Sequence, residues 1–479
     1  MQSHWLPALF CTIAVCVLAT GCANGARIQK QQVNTASTGD AGAQARTSQG
    51  DDLPGVTGPI TGSIKPANFE KAEHKGPLSL ETAVRKAVDW HPAVTETVGR
   101  LRQQTESVNE ARSGYLPNVS WGVDSAYNTN RSDRYSPDLN LNVSQMLYDF
   151  GKVDNKVKIA TAGISGRKSQ VLMAVDDLAR ETSYAVIEIQ RNRALRVVAR
   201  DQIKDTKAIL GLVSSRTDKG ASTRSDLLQA EARVQAAEAT LLEIEGELAR
   251  WQAVLSNLSG IAGRIDVSDT MPAWLSKACG STNLDWSQVP AVMQADADRK
   301  AAAAQVDLAR AEGLPTLSLD AGIGVDPTDI GSHKPDYSVG LRVTGSLYNG
   351  GATSARRNMA TQALGASQAA EARARVDILR NLTEASSQIS SKESLYRSLS
   401  VRQTTMRQTR DLYQTQYIEL GTRSLLDLLN ADQELHAARF DISNIKYDLH
   451  RLNIDCTFSA GQIRKAFALE GQTVQGVPL

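Results

Sequence analysis

The side chains that could do chemistry in this chain are few and scattered. None of the six histidines has another at the short spacing that metal ligands show; they are His4, His74, His91, His333, His436 and His450. The last two lie fourteen positions apart in a helical stretch, and we expect both to be solvated. The sequence therefore predicts no metal site and no catalytic centre.

The glycines likewise do not indicate a nucleotide site. Gly322 and Gly324 lie in a strand-like stretch, and Gly350 and Gly351 follow another. A phosphate-binding loop needs a lysine directly after its last glycine, and none follows here. Bends and close packing explain these glycines, so we expect no cofactor and no enzymatic activity.

Composition excludes a further class of function. A formal net charge of +1 over 479 residues does not favour nucleic-acid binding, which usually needs a clustered basic surplus. Aromatic residues make up only 5%, while alanine, glutamine, arginine and glutamate fill long stretches. This composition is typical of long helices with narrow apolar seams.

Two copies of one turn organise these helices. Residues 219–238 read KGASTRSDLLQAEARVQAAE, and residues 420–439 read LGTRSLLDLLNADQELHAAR. After each turn, small and apolar residues recur every three and four positions, which predicts a coiled-coil seam. Gly220 and Gly421 can close one helix, and the Ser/Thr/Asp cluster behind each can cap the next. Each copy therefore predicts the tip of a helical hairpin.

The duplication extends beyond the turns. A helical pattern over 78–112, interrupted at His91-Pro92, has a counterpart that begins at Leu284. Alternating segments follow at 119–127, 139–147, 317–325 and 339–347, and each predicts a strand long enough to cross about 25 Å of hydrocarbon. Helical patterns then run to about residues 219 and 420, each about 100 Å long.

Four strands cannot close a membrane barrel, and open sheet edges in lipid leave backbone groups unpaired. Three copies would supply twelve strands and a ring of helices beneath them. The fold class we predict is mainly α with a transmembrane β-barrel, built from duplicated long helical hairpins and closed as a trimer.

The first residues predict export. The apolar run at 6–18 is too short to span a bilayer and precedes Cys22, so residues 1–22 predict a signal peptide with a lipobox and lipidation at Cys22. Ordinary cleavage near Gly21 or Gly25 is the alternative. Residues 23–76 predict a flexible tether. We divide the remainder into repeat 1 (77–270), a linker (271–283), repeat 2 (284–460) and a C-terminal segment (461–479).

The duplicated helix, strand pair, long helix, glycine turn and Asp-Leu-Leu-x-Ala pattern resembles the TolC family of bacterial outer-membrane channel proteins, over roughly residues 78–467. The resemblance implies a homotrimeric exit duct in the outer membrane, extended into the periplasm as a helical tunnel. It also implies two partners, a periplasmic adaptor and an inner-membrane transporter. Residues 456–467 resemble members that serve type I secretion with an ABC transporter. A proton-driven drug-efflux pump and a periplasmic coiled-coil scaffold are the alternatives.

The resemblance also assigns roles at the tips. The family's gate motif, Asp-x-x-Asp, has its first position at Asp427 and its second replaced by Asn430, and a ring of three Asp427 carboxylates would attract cations. The family's latching arginine matches Arg423, and its acidic partner matches Asp226. The alternative is that these are ordinary solvated charges. The turns themselves would dock the adaptor, at positions Gly220, Leu227, Gly421 and Leu428.

The resemblance bears on two cysteines as well. Cys279 and Cys456 lie in the repeat linker and near the end of the last long helix, both around the middle of the family's tunnel. An oxidising periplasm would allow them to form a disulfide. Alternatively, Cys456 is a seam residue, because it occupies the position that matches Leu255.

Overall fold

The computed structural model describes residues 76–127, 135–280, 284–325 and 336–479. The first repeat contains α1 (Leu80–Trp90), α2 (Pro92–Ser113), β1 (Asn118–Tyr127), β2 (Tyr135–Tyr148), α3 (Lys152–Asp218) and α4 (Arg224–Ser259). The second contains a 3-10 turn (Trp286–Gln288), α5 (Pro290–Ala311), β3 (Thr316–Val325), β4 (Asp336–Thr344), α6 (Ala352–Thr415) and α7 (Leu425–Ser459). The chain ends with α8 (Ile463–Ala466), β5 (Thr473–Val474) and β6 (Val477–Pro478). Cys22 and the predicted tether, apart from Gly76, lie outside the described residues.

The predicted long helices are confirmed, and one of them ends differently from the prediction. Helix α3 is continuous over 67 residues, and α6 over 64. Residues Gln416–Leu420 then form a single π-helical turn before Gly421 reverses the backbone. A π-turn adds a residue to the helical repeat, which sequence periodicity does not reveal. Among the described helices, none is both long and apolar enough to cross a bilayer.

Helix α3 is the centre of the packing. It contacts α1 and α2 on one part of its length, α4 on another, and also α5 and α7 from the second repeat. Twenty-three of its 67 residues are buried as a result. Helix α6 contacts mainly α5 and α7, and within this single chain it buries only Ala360, Ile378, Ala385 and Leu399. One long face of α6 is therefore uncovered in the isolated chain.

The largest apolar core lies midway along the helices, where the two repeats meet the C-terminal segment. It collects apolar residues of α1, α3 and α4 together with Phe467 and Leu469. Each return helix ends here at a glycine with positive φ, Gly260 at +65° and Gly461 at +68°. A Cβ at Gly260 would overlap the Trp90 indole, and one at Gly461 would lie 2.7 Å from the Gln288 carbonyl oxygen. Close approach therefore requires glycine at both equivalent positions.

The four long strands form one antiparallel sheet in the order β1-β2-β3-β4. Apolar residues alternate with polar ones and are exposed in the single chain, with Trp121 at 78% and Val339 at 77%. Strand β4 ends at Thr344, three residues earlier than predicted. Its last partner is Thr316, and the next position on β3 is Pro315, which has no N–H to extend the ladder.

Candidate functional sites at the hairpin tips

Both predicted tips are helix–glycine–helix turns. Gly220 and Gly421 have φ of +74° and +62°. A Cβ at either position would meet no other atom of the described chain within 4 Å. The glycines are therefore needed for backbone conformation and not for packing, as helix ends of this kind require.

Behind each glycine, a capping box starts the return helix. In the first, Asp226 N donates to Thr223 Oγ1 at 3.1 Å and Thr223 N donates to Asp226 Oδ2 at 3.0 Å. In the second, Asp427 N donates to Ser424 Oγ at 3.2 Å, and Ser424 Oγ donates to Asp427 Oδ2 at 2.9 Å. Both predicted gate carboxylates thus hold a helix N-terminus through one oxygen. The hydrogen bond from the Thr223 backbone keeps the pKa of Asp226 below its usual value, and the Ser222 hydroxyl adds to this effect.

Arg423 lies within its own turn. Its Nε donates to Gln416 Oε1 at 3.1 Å, and its guanidinium lies 4.6 Å from the ring centre of Tyr413. Its Nη1 lies 4.0 Å from Asp427 Oδ2, within the same turn. The structure therefore does not bring Arg423 to Asp226 of the same chain, and the latch stays a prediction about an adjacent hairpin.

Asn430, the residue that replaces the second gate carboxylate, contacts the other hairpin. Arg233 of α4 donates through Nη2 to Asn430 Oδ1 at 3.3 Å and through Nη1 to Gln433 Oε1 at 2.5 Å. Sequence reasoning missed Arg233. The available signal was a charge reversal between the copies, because the position equivalent to Arg233 is Glu434.

The predicted docking leucines differ in exposure. Leu428 is completely buried and packs with Ile209, Val213 and neighbouring apolar residues, so its side chain supports the tip from inside. Leu227 is partly buried against the same cluster. The leucines that reach the surface at the tips are Leu228, Leu420 and Leu426, exposed by 56%, 65% and 46%. The sequence does not single out these three: the exposure of Leu228 and Leu426 depends on which face of each return helix is packed, and that of Leu420 on the π-helical turn that it ends.

The expectation that His436 and His450 are solvated was wrong. The side chain of His436, a residue of α7, is 0% exposed and faces α3, and His450 is partly buried. The predicted seam gives α7 one buried face, whereas α7 packs on both α6 and α3. Burial lowers the pKa of both histidines.

The imidazole of His436 faces two carboxylates. Its Nε2 lies 3.2 Å from Asp205 Oδ2 and 3.7 Å from Asp432 Oδ1. Burial, together with the negative charge of Asp205, raises the pKa of Asp432 to about 6. The spacing of residues in the sequence did not indicate this group of possible metal ligands, because Asp205 comes from the other repeat.

The two cysteines are also close together. The structure joins Cys279, in the 3-10 helix Ala273–Gly280, to Cys456 of α7 by a disulfide, with Cα atoms 5.4 Å apart. Cys456 is only 1% exposed, so it also fills the seam position that its register predicts.

Comparison with known proteins places these features in a family. The family model described as "Outer membrane efflux protein" matches residues 83–261 and 287–462, one segment in each repeat. The chain is 23% identical over 393 residues to the outer membrane efflux protein BepC of Brucella suis biovar 1, which covers 78% of this chain and 82% of that protein. It is 24% identical over 394 residues to the outer membrane protein TolC of Vibrio cholerae, covering 77% and 87%.

One further relative and one solved structure extend the comparison. The chain is 26% identical over 350 residues to the alkaline protease secretion protein AprF of Pseudomonas aeruginosa, covering 68% of this chain and 70% of that one. The crystal structure of the outer membrane protein VceC from Vibrio cholerae matches with a TM-score of 0.70 at 17% identity, over 80% of this chain and 96% of that one.

Proposed function

Because the chain belongs to the outer membrane efflux protein family and is an outer-membrane exit channel of the TolC type, we propose that it is the exit duct of a type I protein secretion system. The channel is not an enzyme. In this proposal it moves an exported protein passively across the periplasm and outer membrane, and an inner-membrane ABC transporter supplies the energy. Its similarity to AprF, a protease secretion protein, supports protein as the cargo.

The observation that most directly supports a membrane-spanning duct is the uncovered apolar face of the sheet. Tyr337, Val339 and Leu341 of β4 are exposed by 74%, 77% and 69% in the single chain. At about 25 cal/mol per Å², leaving such a surface in water is costly, whereas lipid covers it. Three copies of the sheet would pair every edge strand and expose the apolar side chains outward to the membrane.

The uncovered face of α6 supports the same assembly below the membrane. In a trimer, the long helix of each subunit would be covered by the neighbouring subunit, and the helices would surround a tunnel. The hairpin tips would then form its periplasmic mouth. The exposed leucines at the tips, Leu228, Leu420 and Leu426, would contact the tips of a periplasmic adaptor.

Drug efflux is the second candidate function, and the similarity to BepC, an efflux protein, favours it. The two functions share the duct and differ in the inner-membrane partner. A periplasmic scaffold without a barrel, the remaining alternative, disagrees with membership of the outer membrane efflux protein family and leaves the exposed apolar strands without a role.

A deletion strain distinguishes these functions. Type I secretion predicts that one or a few large proteins disappear from the culture medium, measured by quantitative mass spectrometry, while susceptibility to a panel of antibiotics is unchanged. An unchanged secretome with increased susceptibility would instead support efflux. Heat-modifiable, detergent-dependent trimers in the outer-membrane fraction of the complemented strain would show that the channel assembles. Complementation with the intact gene is the control.

A further inference from the structure

Asp205, Asp432 and His436, here named the α3–α7 cluster, form a group of potential metal ligands. Asp432 and His436 are one turn apart on α7, and Asp205 comes from α3. One carboxylate oxygen of each aspartate and one ring nitrogen of His436 all lie within 4.8 Å of one another. His436 is completely buried, Asp432 is 3% exposed, and the Asp205 side chain is 30% exposed. The cluster is thus enclosed on the α7 side and open to solvent at Asp205.

The polar atoms of this cluster are incompletely paired within the described chain. Asp432 Oδ1 has no hydrogen-bond partner among the described residues, although it is buried and directed at His436 Nε2, 3.7 Å away. Its other oxygen receives only a long hydrogen bond from Thr206 Oγ1, at 3.4 Å. A buried carboxylate oxygen without a partner is unfavourable, and proteins usually satisfy such an atom with a ligand, an ion or water.

The surrounding arginines are mostly engaged with other carboxylates. Arg439 pairs with Asp201, and Arg410 forms an ion pair with Asp411, whose Oδ1 lies 2.9 Å from Arg410 Nε. The Nη1 atom of Arg410 remains 3.9 Å from Asp205 Oδ2, beyond hydrogen-bonding distance. Two carboxylates therefore face one imidazole without a closely bound cation of their own, a charge arrangement that a divalent ion neutralises.

We propose that Asp205, Asp432 and His436 bind one divalent transition-metal ion of the Zn²⁺ type in each subunit. Ligands at about 2.0–2.1 Å in a tetrahedral site lie about 3.3–3.4 Å from one another. The observed separations from His436 Nε2, 3.2 and 3.7 Å, are close to that spacing. The imidazole disfavours Ca²⁺ and Mg²⁺, which prefer all-oxygen sites. Water entering beside Asp205 would complete the coordination.

An ion at this position would join the two hairpins of one subunit. It would link α3, the long helix of the first hairpin, to α7, the return helix of the second. Asp432 lies only two helical turns from the start of α7 at Leu425, so the link would be close to the tip. Binding would therefore restrict movement of one tip relative to the other, independently of any cation held by Asp427 at the mouth.

The test uses the full-length trimer, purified in detergent without a histidine tag and stripped of metal. Calorimetric titration with Zn²⁺ should give one site per subunit, and Co²⁺ should give the visible absorption bands of tetrahedral coordination. His436→Gln and Asp432→Asn should weaken Zn²⁺ binding at least about tenfold. His450→Gln, at a partly buried histidine of the same helix, is the matched control and should bind as the wild type does.

A second measurement separates a metal site from a hydrogen-bonded cluster. Zn²⁺ should raise the unfolding temperature of the wild type and of His450→Gln, and not that of His436→Gln. If His436→Gln does not assemble, Asp205→Asn replaces it, because Asp205 lies at the solvent edge. The proposal is overturned if the wild type shows no Zn²⁺-dependent shift, or if binding is unchanged in all three cluster variants.

Discussion

The guanidinium of Arg464 donates to the carboxylate of Asp176, 288 positions away, and the two residues are each 2% exposed. A second donation, from Arg464 Nη2 to the Gln288 carbonyl oxygen at 2.8 Å, ties in the start of repeat 2. One side chain of the C-terminal segment thus connects the long helix of repeat 1 to the entry of repeat 2. Removing one partner of such a buried pair typically costs about 3–5 kcal/mol.

The two partners should not be equivalent on mutation. Burial raises the pKa of Asp176 to about 7, so this carboxyl can take up a proton when its partner is removed. Arg464 cannot lose its proton near neutral pH. Asp176→Asn should therefore destabilise the trimer by about 3–5 kcal/mol, and Arg464→Met by less. Thermal unfolding in detergent measures both, with Lys465→Met at the adjacent exposed position as the control. Equal losses would contradict the argument.

His91 predicts a pH dependence at the junction of α1 and α2. Its Nδ1 accepts a hydrogen bond from Ala93 N at 3.2 Å, so the neutral ring caps α2. Burial lowers the pKa of His91, although Glu181 opposes the shift. The unfolded chain therefore binds the proton more readily, and stability present above pH 6.5 is lost as the pH falls through the lowered value.

The measurement compares unfolding temperatures at about pH 7.5 and pH 5.5. Protonation should remove a cap that contributes about 1 kcal/mol. His91→Asn keeps a capping acceptor that does not titrate, so it should lose less stability on acidification than the wild type. An identical acid sensitivity in both proteins would assign the pH dependence to other groups.

Local patterns were sufficient for much of this fold. The long helices, both glycine turns and the four strands follow from periodicity and turn residues, because those signals depend on neighbours in sequence. The end of β4 is different, since it depends on Pro315 of the opposite strand. The burial of His436 and the contact between Arg233 and Asn430 depend on packing between the two repeats. The sequence of a single helix does not reveal such packing. At the tips, sequence identified the turns and not which leucines face outward.

The exposed tip leucines provide a test of adaptor docking. Leu228→Arg and Leu426→Arg place a charge on surfaces that a partner would bury, so each should reduce export at least about tenfold while trimers still assemble. Leu242→Arg, at a 69% exposed leucine further along α4, should export normally. Export is measured as secreted cargo per cell, and assembly as heat-modifiable trimer. Normal export by both tip variants would remove these residues from the docking surface.

To test the role of the gate charges, variants are needed that leave the helix caps intact. Asp427→Ala would remove both the charge and the capping oxygen that receives the Ser424 hydroxyl. Asp427→Asn removes the charge and retains an acceptor, whereas Ser424→Ala weakens the cap and retains the charge. If a ring of Asp427 carboxylates binds cations, Asp427→Asn should relieve block by divalent or trivalent cations added on the periplasmic side in planar bilayers. Ser424→Ala should remain blocked.

The latch makes a separate prediction. If Arg423 pairs with Asp226 of an adjacent hairpin, three exposed pairs at about 0–1 kcal/mol each would together hold the closed mouth by roughly 1–3 kcal/mol. Arg423→Ala should then increase the open population about 5- to 150-fold. Single-channel recordings would show longer openings or higher conductance, and cells would become sensitive to antibiotics too large for porins. Arg250→Ala is the matched control, because Arg250 of α4 is exposed and pairs with Glu247 of its own helix, away from the tips. If Arg423→Ala left conductance unchanged while Asp427→Asn opened the pore, the assigned roles of latch and ring would be wrong.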